Sequence, residues 1–406
     1  MLTLTARWVL PIAGPPIERG WIAVDAGRVA AVGAERRSGS RKDSSARDLG
    51  SAAILPGLVN AHTHLELSYL RGAVGTASGF TEWIRELMRL RRDQADPAAP
   101  AILESAERGI DEARASGTAV IGDISNTLVS VPMLARSRMA ARVFYELVRF
   151  RASDADPAWS AALDRLHEIP DAPRLRVSPA PHAPYSVSAA LFQLIRAEVN
   201  RTPLGRTSVH LCESTEECEL LQHGTGPWRD LLDQLNAWDP AWVAPGCSPV
   251  EYLDSMRFLA SDTLVVHGVH LGDGDLARLA ARQATLVTCP RSNRHVGVGD
   301  PPLSRFYAAG VRVAVGTDSL ASAPDLNVFS ELAAMRRLAP GVPAARLLES
   351  ATRVGAAALG FDEYGTIAAG TPAAALMAVA VPEGTADVEE YLVSGVAPER
   401  IHWPLE

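Results

Sequence analysis

Lysine is nearly absent from the 406-residue chain, in which Lys42 is the single copy. A lysine Schiff base and a Gly-Lys-Ser/Thr loop around a phosphate therefore have no suitable residue. A carboxylated lysine that bridges two metal ions is excluded for the same reason, because Lys42 falls in a predicted surface loop over residues 36–47. Any metal centre in this chain is thus expected to hold a single ion.

The chain is also poor in cysteine, in excess positive charge and in long apolar runs. Its four cysteines lack the paired spacing of a zinc ribbon and are expected to be reduced thiols. A net charge of −8 argues against a nucleic-acid partner. No segment is apolar for long enough to cross a bilayer, and residues 1–11 lack the core of a signal peptide. We therefore expect a cytoplasmic protein without a membrane partner.

What the sequence does contain is a series of eight short apolar runs that end in polar residues able to do chemistry. Segments with apolar residues three and four apart, typical of helices, separate these runs. The alternation predicts an α/β fold, a (β/α)₈ TIM barrel, whose catalytic residues lie at the carboxyl ends of the strands. The predicted strands are 52–59, 118–123, 141–148, 174–182, 207–213, 263–267, 285–289 and 311–318.

The two ends of the chain predict a second module. A barrel of this type needs about 250 residues, which leaves residues unassigned at both ends. Residues 1–52 read as short strands with turns, and residues 365–406 repeat that style. We expect both ends to form one small β-sandwich domain packed on a catalytic barrel of residues 53–364.

Two histidines one residue apart, His62 and His64, follow the first apolar run in the segment PGLVNAHTHLELS. Residues i and i+2 of a strand project from the same face, so both imidazoles can bind one ion. Neutral imidazole suits zinc and related transition metals. Considered alone, the two residues are equally well explained as surface histidines near a turn.

Further candidates stand at the ends of the fifth and eighth predicted strands. His210 and Glu213 end the fifth strand, where a carboxylate beside a metal-binding imidazole can move a proton between water and substrate. Asp318 ends the eighth strand. Taken singly, these residues also fit a core histidine, a helix-start acid and a helix cap. His210 and Asp318, together with His62 and His64, form a consistent donor set that leaves room for a water molecule.

The segments PGLVNAHTHLE, HLCE, VVHGVHL, TCPRSN and VGTDS, taken in order, resemble the metal-dependent amidohydrolases. The resemblance is to the branch that holds cytosine and guanine deaminases and chlorohydrolases. It implies that Glu213 is the proton shuttle and that His267, with Asp318, holds the attacking water, whereas His270 has no equivalent role. It also implies one divalent metal ion, zinc with iron as the alternative, bound by His62, His64, His210 and Asp318.

Within this branch the chain resembles the menaquinone-pathway enzymes that deaminate 6-amino-6-deoxyfutalosine, an adenine nucleoside that carries a benzoate. An insertion over 220–247 adds tryptophans, and Glu66 is interpreted as a contact to a ribose hydroxyl or base edge, or else as a surface residue. Arg149 is interpreted either as the partner of a substrate carboxylate or as a solvated arginine. His182, at the end of the fourth strand, is the stronger candidate for substrate contact.

The resulting hypothesis is a metal-dependent deaminase that hydrolyses an aminopurine nucleoside, expected to be 6-amino-6-deoxyfutalosine, and releases ammonia. The same residues would serve a hydrolase of another small molecule, such as guanine, cytosine, S-adenosylhomocysteine, a cyclic amide or a chlorinated ring. A noncatalytic barrel acting as an interaction scaffold predicts that metal-binding residues are lost, and none is missing. The sequence leaves a homo-oligomer open.

Overall fold

The computed structural model describes residues 1–34, 46–76, 79–170 and 172–406. Most of the predicted surface loop over 36–47, with Lys42, lies outside these residues. The described chain forms two parallel sheets that close into a barrel, helices that cover the barrel, and a third sheet built from both ends of the chain. The candidate site residues lie at one end of the barrel.

The barrel consists of two four-stranded parallel sheets. Backbone hydrogen bonds join the sheets on both sides: His210 N–H donates to the His182 carbonyl (2.9 Å), and Asp318 N–H donates to the His62 carbonyl (3.0 Å). The barrel therefore closes beside four of the predicted site residues. In barrel order the strands are β6 (Leu58–Thr63), β7 (Thr118–Ser125), β8 (Ala140–Leu147), β9 (Leu175–Pro181), β10 (Thr207–Leu211), β11 (Thr263–His267), β12 (Thr285–Thr288) and β13 (Arg312–Val315).

Amphipathic helices cover the outside of the barrel. In the helix Ala189–Arg201 (α5), Leu191 and Ile195 are buried on one face, and Ser188 Oγ accepts the N–H of Leu191 at the helix start. No described helix is both long enough and apolar enough to cross a membrane. The other helices are α1 (Phe80–Asp93), α2 (Pro100–Ala115), α3 (Val131–Arg136), α4 (Ala155–His167), α6 (Thr215–His223), α7 (Pro227–Gln234), α8 (Pro249–Ser255), α9 (Asp273–Arg282), α10 (Pro290–His295), α11 (Leu303–Ala308), α12 (Val328–Leu338), α13 (Ala344–Glu349), α14 (Gly355–Leu359) and α15 (Val388–Val393).

Strands from the two ends of the chain form one mixed sheet. Its order is β15-β14-β5-β1-β2-β3, and β4 also pairs with β1. The described strands of the two chain ends thus belong to one sheet, and the β-sandwich stays a prediction. The division into residues 1–52 with 365–406 and a barrel over 53–364 stays a prediction. The strands are β1 (Leu2–Val9), β2 (Ile17–Asp25), β3 (Arg28–Ala34), β4 (Ala46–Asp48), β5 (Ala52–Pro56), β14 (Leu376–Ala380) and β15 (Ile401–His402).

One residue, Gly57, separates the terminal sheet from the barrel. The run 52–59, predicted as a single strand, contains β5, which pairs with β14, and the start of β6. A Cβ on Gly57 would lie 2.5 Å from the Ala119 Cβ and 2.8 Å from Trp403 Cη2. Only glycine fits such a close approach, so the chain can change sheets at this position. The change places His62 near the carboxyl end of β6.

Candidate active site

The two histidines predicted after the first strand, His62 and His64, lie with their Nε2 atoms close together. His62 is the last residue but one of β6 and His64 follows that strand, and their Nε2 atoms are 3.2 Å apart. Asp318 Oδ1 lies 3.7 Å from His62 Nε2 and 3.5 Å from His64 Nε2. Gly316 permits this approach, because a Cβ there would lie 2.7 Å from the His62 Cβ. Strands β6 and β13 thus bring three of the predicted ligands together.

His210 completes the predicted donor set. Its ring centroid lies 5.0 Å from that of His62 and 5.5 Å from that of His64. The Nδ1 of His210 donates to the His182 carbonyl (3.1 Å), which leaves Nε2 as the nitrogen with a free lone pair. Ligand atoms of His62, His64 and His210 all lie within 4.8 Å of one another, and so do those of His62, His267 and Asp318.

The residues present fit one divalent ion. Burial lowers the pKa of His62 and His210 well below the ordinary value, and the neighbouring imidazoles act in the same direction. Both rings are therefore neutral near pH 7, as a metal ligand must be. Burial acts to raise the pKa of Asp318, but nearby imidazoles and a hydrogen bond from Ser292 lower it to about 2. Neutral imidazoles with an ionised carboxylate form a donor set that suits zinc.

Glu213 and His267 lie together beside the donor set. Glu213 Oε1 is 3.5 Å from His267 Nε2, and both side chains are buried. His267 Nδ1 lies 2.9 Å from Asn293 Oδ1, which accepts a hydrogen bond and so fixes the proton of the neutral ring on Nδ1. Burial raises the pKa of Glu213 well above the ordinary value, and the Asp318 carboxylate adds to the effect. Glu213 is thus a carboxyl group that binds a proton readily.

Strained backbone marks the strand ends that carry these residues. Cys212, His267 and Asp318 follow or end β10, β11 and β13 with φ angles of +50°, +74° and +61°. A non-glycine residue in this region costs on the order of 1–3 kcal/mol and persists where the surrounding structure enforces it. The barrel thus stores strain where the candidate catalytic side chains leave their strands.

Glu66 lies close to the site, but its carboxylate is used by the protein itself. Oε2 accepts hydrogen bonds from Ser125 Oγ (2.7 Å) and Thr127 Oγ1 (2.6 Å). Oε1 accepts from the N–H of Asn126 (3.2 Å) and from Arg91 Nη2 (3.1 Å). These bonds hold the loop that follows β7, which favours a positioning role. The predicted contact between Glu66 and the substrate stays a prediction.

His182 and Arg149 line a cavity of about 430 Å³ beside the donor set. Burial lowers the pKa of His182 to about 4, and its Nδ1 lies 2.6 Å from Ser186 Oγ. Aromatic side chains form part of the wall, with the rings of Tyr185 and Trp228 stacked at 3.9 Å. Trp228 belongs to α7, within the predicted insertion over 220–247. The structure thus brings His182, Arg149 and the insertion to one cavity.

Glu146 is a candidate that the sequence analysis missed. It is buried at the end of β8, and its Oε1 lies 3.5 Å from His210 Nδ1. Asn126 Nδ2 donates to Glu146 Oε2 (2.8 Å), which connects Glu146 to the loop held by Glu66. The available signal was its place near the end of the third predicted strand. The interpretation of that strand end from sequence rests on Arg149 alone.

The model of the amidohydrolase family matches residues 53–395. The chain belongs to the amidohydrolase family. This confirms the predicted resemblance and, with it, the TIM-barrel class of fold. The metal dependence of the family agrees with the donor set, whereas the choice of zinc over iron stays a prediction.

The chain is similar to several proteins that are named as deaminases. An aminodeoxyfutalosine deaminase of Deinococcus radiodurans is 33% identical over 353 residues, which cover 84% of this chain and 81% of the relative. A 5-methylthioadenosine/S-adenosylhomocysteine deaminase of Halobacterium salinarum is 31% identical over 348 residues, covering 83% and 74%. The crystal structure of a Xanthomonas campestris adenosine deaminase with bound zinc superposes with a TM-score of 0.83 at 25% identity, covering 98% and 90%. The prediction of a hydrolytic deaminase acting on C–N bonds is confirmed.

Proposed function

We propose that this amidohydrolase removes the exocyclic amine of an aminopurine nucleoside and that its substrate is 6-amino-6-deoxyfutalosine. The observation that carries the proposal is the cavity beside the donor set, which combines aromatic walls, an arginine at its edge and His182. The relative of Deinococcus radiodurans that is named aminodeoxyfutalosine deaminase supports the same substrate.

The reaction is assigned to residues at the carboxyl ends of the strands. A divalent ion bound by the four predicted ligands would lower the pKa of water and so supply a nucleophile near neutral pH. Glu213 takes the proton released by the attacking water and delivers it to the ring nitrogen next to the reacting carbon. His267, whose tautomer Asn293 fixes, orients the water with Nε2. The remaining proton of the added hydroxyl then passes to the exocyclic amine, the C–N bond breaks as the carbonyl forms, and ammonia leaves a hypoxanthine-type ring.

The cavity has the dimensions and surfaces that a nucleoside with a distal benzoate needs. Its volume of about 430 Å³ lies within the usual range for small-molecule sites. Phe150, which stacks on Trp238 with centroids 5.3 Å apart, lines the cavity, and the Tyr185–Trp228 pair adds a second aromatic surface for a planar ring. Among the described residues, Arg149 makes one side-chain hydrogen bond, to the Val148 carbonyl (2.6 Å). Its remaining donors suit a carboxylate.

A second candidate substrate is 5-methylthioadenosine or S-adenosylhomocysteine. The relative of Halobacterium salinarum that is named for these two nucleosides supports it. The largely apolar wall of the cavity, with Leu87 and Leu231 beside the aromatic rings, would also accept a methylthio group. The two candidates differ in the group that enters the cavity, so a comparison of substrates separates them.

The test is the kcat/KM for ammonia release from 6-amino-6-deoxyfutalosine, adenosine, 5-methylthioadenosine and S-adenosylhomocysteine. We expect 6-amino-6-deoxyfutalosine to be preferred. We also expect Arg149→Met to lower kcat/KM for that substrate about 10- to 100-fold, because a charged hydrogen bond contributes roughly 1.5–3 kcal/mol. Adenosine, which has no carboxylate, is the internal control and should be unaffected.

Two results would contradict the assignment. Comparable kcat/KM values for 6-amino-6-deoxyfutalosine and adenosine would show that the distal carboxylate is not recognised. Strong activity on guanine or cytosine, with none on the nucleosides, would move the enzyme to another ring substrate and leave the metal chemistry in place.

A further inference from the structure

Three arginines meet at the end of the barrel opposite the candidate active site. Arg142 is the third residue of β8, Arg176 is the second residue of β9, and Arg206 immediately precedes β10. These positions lie at the amino-terminal ends of the strands, whereas the predicted ligands lie at the carboxyl ends. Arg142 and Arg176 are direct neighbours in the register of β8 with β9. Like charges placed side by side on adjacent strands destabilise a sheet.

The three guanidinium groups converge beside Gly360, which follows α14. A Cβ built on Gly360 would have three guanidinium nitrogens as its nearest neighbours. It would lie 3.1 Å from Arg142 Nη2, 3.2 Å from Arg176 Nη1 and 3.8 Å from Arg206 Nε. These arginines come from three separate segments, so no local sequence pattern groups them.

The positive charge of this cluster is not neutralised by the described part of the chain. Within that part, no carboxylate oxygen lies within 4.0 Å of the three guanidinium groups. Arg142 is only 2% exposed, and it donates to neutral acceptors, including the Leu359 carbonyl (2.7 Å) and Ser178 Oγ (2.5 Å). A buried charge without an opposite charge is costly.

Two donors in the cluster lack an acceptor. Arg176 Nη1 and Arg206 Nε are both buried and have no hydrogen-bond partner among the described residues. The Arg176 guanidinium lies over the ring of Phe361 at 4.3 Å from the centroid, a contact that fixes its face and leaves its edge to donate. Buried donors are nearly always paired, so these two point to an acceptor supplied by a ligand.

A cavity of about 380 Å³ adjoins the cluster. Arg142, Arg176 and Ser178 lie on its polar side, and apolar side chains such as Leu163 and Leu166 line much of the remainder. Glu198 also lines it, with its charge paired to Arg201 Nη2 at 2.7 Å, whereas Arg206 is outside the lining and joins the cluster beside Gly360. This volume suits a small organic molecule. The combination of guanidinium groups with an apolar wall suits a molecule that has a negatively charged head and an apolar body.

We propose that Arg142, Arg176 and Arg206 form a second ligand site, which binds the oxyanion of a small molecule, a carboxylate or phosphate, at the amino-terminal end of the barrel. After a small movement of these two partly exposed side chains, the oxyanion accepts hydrogen bonds from Arg176 Nη1 and Arg206 Nε, and it offsets the charge on Arg142. The site does not depend on the deamination reaction, and the two sites lie at opposite ends of the strands.

The test is a titration of the metal-loaded full chain with inorganic phosphate and with benzoate, followed by calorimetry and by thermal unfolding at a constant ionic strength set with chloride. Phosphate tests the oxyanion alone, and benzoate tests an oxyanion with an apolar body. We expect both Arg176→Met and Arg206→Met to weaken binding about tenfold or more, because each removes a charged donor. Arg337→Met, an exposed arginine of α12, is the matched control and should bind like the unchanged chain.

Thermal unfolding gives a second test, because the sign of the change in Tm caused by Arg206→Met is expected to depend on the oxyanion. Without an oxyanion, Arg206→Met should match or exceed the unchanged chain in Tm, because it relieves repulsion. At saturating phosphate or benzoate, the Tm of Arg206→Met should fall below that of the unchanged chain. Equal binding by the unchanged chain and by both variants would overturn the proposal. So would an anion that competes with the nucleoside substrate and binds equally well to Arg176→Met, since that anion would occupy the active site.

Discussion

Replacing Glu213 by glutamine should abolish most of the activity and leave the metal in place. The amide keeps the shape of the side chain but cannot carry the proton from water to the substrate ring. Glu213 is buried, with Oε1 3.5 Å from His267 Nε2, and it belongs to neither group of converging ligand atoms around His62. Its backbone N–H, which donates to Glu217 Oε2 (3.0 Å), is unaffected by the substitution. The change therefore removes the chemistry without dismantling the site.

The expected loss in kcat is about 10²- to 10⁴-fold, the usual contribution of general acid–base catalysis. At about 1.4 kcal/mol per tenfold, this corresponds to about 3–5.5 kcal/mol in the activation barrier. Elemental analysis of the purified variant should find the same metal content as in the unchanged enzyme, and ammonia release gives kcat. Glu216→Gln, on the neighbouring helix α6 and partly exposed, makes the same chemical change and serves as the matched control. A Glu213→Gln variant with near-normal kcat, or one that had lost its metal, would refute the role of proton shuttle.

Three further predictions concern stability. Removing the metal with a chelator should lower the Tm measured by calorimetry, because an ion that binds only the folded state at 1,000 times its Kd contributes about 4 kcal/mol; an unchanged Tm would argue against the site. Glu66→Ala should cost about 1–3 kcal/mol or more in urea unfolding, since Ser125 and Thr127 lose a buried acceptor, whereas a pure substrate contact would raise KM and leave stability unchanged. Burial raises the pKa of Asp123 to about 7, so its contribution to stability is full below pH 3.8 and is lost as the pH rises through 7; Asp123→Asn should remove that decline from the pH profile of unfolding, and an unaltered profile would contradict the burial effect.

The predicted metal ligands come together in the structure because barrel geometry leaves little freedom at the strand ends. Parallel strands of similar length bring their carboxyl ends together, so residues that end β6, β10, β11 and β13 meet even though they are far apart in the chain. The period of two in a strand also places His62 and His64 on one face. The alternation within a strand and the topology of the barrel therefore both predict that these residues lie together.

Glu66 shows where the same reasoning fails. If the strand continued past His64, its alternation would place Glu66 on the same face as His64, toward the site. However, β6 ends at Thr63 and a 3₁₀ helix begins at Leu65. The side chain therefore turns toward the loop after β7, whose donors come from residues about sixty positions later. Contacts set by such distant segments are not encoded in a local pattern. The arginine cluster is not predicted by a local sequence pattern for the same reason.

Because the chain changes sheets at Gly57, the strand that carries His62 is anchored by segments that are synthesised late. β5 has β14 as a sheet neighbour, in a register that joins Pro56 to Leu376. Trp403 packs against the same glycine from a still later position. The strand that carries His62 is therefore made early but gains its final anchorage only after every barrel strand has left the ribosome. Such long-range pairing forms slowly. We therefore expect the candidate metal site to assemble late in folding, after translation rather than during it.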